Sequence, residues 1–88
     1  MNNARYDEER SKFMRMLLEI MENPENVLVH ESFFSDQWLR FNPEKDCYEY
    51  EDHAYLGEAP IDVVEFMESV KEDLVYASKW HIEKKNCW

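Results

Sequence analysis

The chain has 88 residues, 44% of them hydrophobic and 15% aromatic, and carries a formal net charge of −10. That length accommodates one small domain and no second, and the apolar content supports a packed core rather than a disordered chain, although 34% of the residues are charged. The acidic balance works against direct contact with nucleic acid or an anionic membrane, and no apolar run approaches the roughly 20 residues that a membrane-spanning helix needs.

The stretch 7–22 is expected to be helical. Tyr6, Phe13, Met16, Leu17, Ile20 and Met21 recur at three- and four-residue steps and make one apolar stripe. Asp7, Glu8 and Glu9 occupy the first turn, where the helix dipole favours acids. Asn23-Pro24 ends the helix, because proline has no N–H to donate. Arg10, Lys12, Arg15, Glu19 and Glu22 fall mainly off the stripe, and Met14 lies away from its centre, half exposed.

Val27-Leu28-Val29-His30 reads as a first strand that extends as far as Phe34. Val27, Val29 and Phe33 share one side, Leu28, His30 and Phe34 the other, and both sides are partly apolar, so the pattern does not say which faces the core. Ser35-Asp36 is a turn. The segment 37–52 then alternates apolar and polar residues on both sides of Asn42-Pro43-Glu44-Lys45-Asp46. Proline suits the second position of a type I turn, and Asn before it can bond the backbone that follows. The expectation is an antiparallel hairpin pairing 37–41 with 47–51 across a loop of about five residues. Residues 52–60 read as a connector holding the one glycine, Gly57.

Pro60 suits a helix entry, and from Ile61 the period becomes helical. Val63, Phe66, Met67, Val70, Leu74 and Ala77 form a stripe that Trp80 extends, which predicts a second helix over 61–78. Lys79-Trp80-His81-Ile82-Glu83 also alternates, so a short fourth strand at the C-terminal end is the alternative there. Phe13, Leu17, Ile20, Val63, Phe66, Met67, Val70 and Leu74 are expected to build the helix side of the core. Together these elements give an α+β fold, a two-layer sandwich of helix, three-stranded antiparallel meander and helix. The order of elements resembles that of double-stranded-RNA-binding domains. Those domains place lysines at the start of the second helix, where this chain has Asp62 and Glu65, and their function is not carried over.

The charge is uneven. Residues 1–22 carry four basic and five acidic groups, residues 23–78 three basic and fourteen acidic, and residues 79–88 three basic and one acidic. Cys47 and Cys87 are too few and too far apart for a disulfide scaffold, which points to reduced thiols and a cytoplasmic setting. MNNARYDEER lacks the apolar core of an export signal. His30, His53, His81, Cys47 and Cys87 form no CxxC, HxxxH or HExxH spacing, so no metal is expected. No serine stands in a nucleophile context, and no glycine-rich phosphate loop occurs, so neither an enzyme nor a cofactor is expected.

The remaining signal is a set of acids and aromatics around the hairpin. Alternation puts Tyr48 and Tyr50 on one face of a strand and Cys47, Glu49 and Glu51 on the other. With the tyrosines toward the helices, the acids would form the open face of the sheet. Asp36, Trp38, Glu44, Asp46, Glu49, Glu51 and Asp52 are therefore the expected partner-binding residues. The expected function is a non-enzymatic acidic module that blocks a basic protein surface, one that otherwise holds nucleic acid. The alternative is an assembly module that uses apolar surface, Met14, Phe34 and Trp88, in a homodimer; a small enzyme or ligand-binding protein comes third. Reversing Glu49 and Glu51, on a solvated face, would then cost little stability.

Overall fold

Nineteen residues of amphipathic sequence open the fold as α1, Ala4–Glu22. The computed structural model describes residues 4–31, 37–52, 55–59, 61–70 and 75–84. After α1 come β1 (Asn26–His30), β2 (Trp38–Asn42), β3 (Cys47–Asp52), β4 (Tyr55–Ala59), α2 (Val63–Val70), a 3₁₀ turn (Ala77–Lys79) and β5 (Trp80–Lys84). The strands form one antiparallel sheet in the order β4-β3-β2-β1-β5. The chain is thus an α+β domain with an N-terminal helix, the expected β1–β2–β3 meander, two further strands and a short second helix.

The local signals explain most of these elements. α1 ends where the Asn23 N–H bonds the Glu19 carbonyl, and the Asn23 side chain bonds the same oxygen. In the β2–β3 turn the Asn42 side-chain oxygen accepts from the N–H of Glu44 at 3.0 Å and of Lys45 at 3.3 Å. Asp46 closes the turn at φ 54, a left-handed value that Asp tolerates better than most residues. Trp38 pairs with Glu51 and Asn42 with Cys47, so the loop is 43–46, one residue shorter than expected.

Two elements differ from the sequence reading, and a third decides between its two alternatives for the C-terminal end. The expected connector 52–60 contains β4, paired with β3 from Tyr48↔Ala59 to Asp52↔Tyr55. The second helix is described only as Val63–Val70, and by Val75 the chain is in a turn. The terminal strand forms, and it pairs with β1 along its whole length, from Asn26↔Lys84 to His30↔Trp80. Trp80 therefore lies on a strand and not on the end of a helical stripe. The RNA-binding order of elements is likewise exceeded, by β4 and β5. The continuation of β1 toward Phe34, the 35–36 turn and Leu74 lie outside the described residues.

The core sits between the helices and one face of the sheet. It joins Phe13, Leu17 and Ile20 of α1, Val63, Val64 and Met67 of α2, Val75, and Leu28, Leu39, Phe41, Tyr48 and Trp80 of the strands. Leu28 therefore shows which side of β1 faces inward. Phe13 lies edge-on to Trp80 at 5.4 Å, and Phe41 edge-on to Tyr48 at 5.2 Å. The Tyr48 hydroxyl donates to the Leu17 carbonyl at 3.0 Å. Phe66 is only partly buried and packs against Tyr50 at 5.5 Å, while Val64, which the stripe omitted, is buried. Glu9, on α1, accepts from the Ser78 N–H at 3.1 Å and ties the helix to the turn before β5. Among the described residues no helix is long and apolar enough to cross a membrane.

Gly57 is required by packing. A Cβ there would come within 2.7 Å of the Tyr50 ring, with which Gly57 pairs across β3 and β4. Gly57→Ala is expected to destabilise by about 1–3 kcal/mol through overpacking. Urea denaturation should show that penalty shrinking in a Tyr50→Ala background, where the ring no longer occupies the space. An equal penalty in both backgrounds would place its cause elsewhere.

Candidate functional site

The face of the sheet turned away from the helices is built by alternation. Tyr48 and Tyr50 of β3 point into the core side, as expected, and Cys47, Glu49 and Glu51 point to the opposite face. β2 contributes Trp38, Arg40 and Asn42 to that face, and β1 contributes Val27 and Val29. Val27, Val29 and Trp38 form a second, small apolar cluster there.

The acids on this face are engaged. Arg40 Nε donates to Glu49 Oε1 at 2.8 Å, and Asn42 Nδ2 donates to Glu49 Oε2 at 3.3 Å. Lys45 Nζ lies 3.8 Å from Glu49 and 2.9 Å from Glu58 on β4. The Trp38 indole N–H donates to Glu51. The Arg40 guanidinium sits over the Trp38 ring, 5.1 Å from its centre, which adds a cation–π contact. Register explains these pairs: Arg40 stands opposite Glu49, Trp38 opposite Glu51 and Glu49 opposite Glu58.

The electrostatics follow. Burial acts against the ionised form of Glu49, but the hydrogen bonds from Arg40 and Asn42 and the nearby cations outweigh it and hold its carboxyl below the ordinary value. The hydrogen bond to Glu58 and the charges of Glu58 and Glu49 raise Lys45. Burial, then the charges of Glu58 and Glu49, push the Cys47 thiol up, which suppresses its thiolate and its reactivity. A shallow basin of about 220 Å³ lies between Arg40, Lys45, Glu49 and Glu58.

The expected partner-binding residues thus separate into groups. Glu44 and Asp46 are exposed at the hairpin turn, and neither forms an ion pair among the described residues. Glu49 and Glu51 are partly buried and bonded, and Glu49 keeps only 15% of its side chain exposed. Its reversal would set a third cation against Arg40 and Lys45, so the small stability cost expected of a solvated acid does not apply. Trp38 is buried, at 9% exposure. Asp52 ends β3, its side chain outside the described residues, and Asp36 lies outside them altogether. Arg40, Lys45 and Glu58 were absent from the sequence-based set. Arg40 could have been found by carrying the antiparallel register outward from the Asn42-Pro43 turn, and Lys45 by its four-residue spacing from Glu49; Glu58 needed β4.

Among the described residues, His30, His81 and Cys47 do not gather into a metal-holding group. His30 packs edge-on to Trp80 at 5.0 Å, His81 meets Glu83 on β5, and Cys47 lies 4.0 Å from Glu58. His53 and Cys87 lie outside the described residues. No family model, curated protein or solved structure matches this chain.

Proposed function

We propose that this chain is a non-enzymatic acidic binding protein that occupies a basic protein surface, one that otherwise holds nucleic acid, and so inhibits its partner. The observation that carries the reading is the end of the hairpin. There the cation between the two turn acids, Lys45, is spent on Glu58 and Glu49, while Glu44 and Asp46 project exposed. The net charge of −10 supports it. The binding acids are then those of the turn, with Glu49 and Glu51 holding the hairpin rigid rather than meeting the partner. Mechanism is occlusion: charge complementarity speeds encounter and fixes orientation. An immunity protein for a nuclease toxin and a phage-encoded blocker of a host nuclease are the two settings that suit such a module, both cytoplasmic.

The test begins with capture and mass spectrometry to name the partner. Stopped-flow association is then measured at low and moderate salt for the parent, for Glu44→Lys/Asp46→Lys and for a control, Glu19→Lys/Glu22→Lys, with equal net charge change. The turn variant is expected to associate more slowly than the control by about tenfold at low salt, the difference fading as salt screens it. Equal losses in both variants, or a partner that still binds DNA or RNA when complexed, would sink the reading.

A second reading rests on a different observation. Met14 and Leu18 stand one turn apart on the outer face of α1, 47% and 53% exposed, and an assembly contact through them would be insensitive to salt.

A further inference from the structure

We draw no further inference here: the strongest candidate, the open groove between α1 and the 3₁₀ turn, where Lys12, Arg15 and Glu19 stand beside Met16 and Ala77, sets cations and an acid side by side with apolar side chains, and nothing in the structure shows what covers it.

Discussion

Replacing Phe13 by alanine is expected to lower stability by about 3–5 kcal/mol, the usual range for emptying a fully buried aromatic site. Phe13 has no exposed surface and lies within the cluster that joins α1 to the sheet. Its ring contacts Trp80 edge-on, so the cavity would open at the point where the N-terminal helix holds the C-terminal strand. For a domain of this size that loss is a large share of the roughly 5–15 kcal/mol available. Phe66→Ala is the informative comparison. The helical stripe alone would give Phe66 the same cost, but Phe66 is only partly buried at the α2 flank, and a loss of about 1–2 kcal/mol is expected there. Urea midpoints of the two variants measure the difference. A larger loss for Phe66 would mean that the core is centred on α2 and not on α1.

Raising the pH above 10 is expected to weaken the fold through Tyr48. Burial pushes its hydroxyl from an ordinary value of 10.0 up to about 12. The unfolded chain releases this proton near pH 10, whereas the folded chain retains it. The contribution of Tyr48 to stability is therefore complete below pH 10, declines between pH 10 and 12, and is gone above that window. Lysines titrate in the same range, so the measurement is a difference. Urea midpoints of the parent and of Tyr48→Phe are compared across the window. At neutral pH the variant should be less stable by about 1 kcal/mol, because the hydrogen bond to the Leu17 carbonyl is lost. The gap should narrow as pH rises toward 12. A gap that stays constant would show that the hydroxyl is free to ionise in the folded chain.

Much of the fold was legible where local chemistry and tertiary demand agree. The α1 stripe, the Asn23-Pro24 stop, the Asn42-Pro43 turn and the inward tyrosines of β3 each follow from residues close in sequence. The same chain misleads where one stretch satisfies two patterns. Trp80 continues the helical spacing of Val63, Met67 and Val70 and also the alternation of His81 and Ile82. Pairing with β1 and packing against Phe13 resolve this in favour of the strand, and both partners lie far away along the chain. β4 offered no alternation to notice, since Gly57 leaves a blank on its inner side. The Tyr50 ring fills that blank, so the position is meaningful only once β3 and β4 are paired.

The candidate site divides in the same way. Sequence by itself determined that acids collect around the hairpin and that Glu49 and Glu51 share the face opposite the tyrosines, because strand alternation is a local property. It also determined the net charge, which no folding changes. Only the tertiary structure decided which acids are free. Register brings Arg40 to Glu49, the Trp38 indole to Glu51 and Lys45 to Glu58 across β3. A carboxylate's availability depends on its neighbours across strands, and those neighbours are set by pairing rather than by position along the chain. Glu44 and Asp46 stay exposed because a turn ends the pairing on both sides of them.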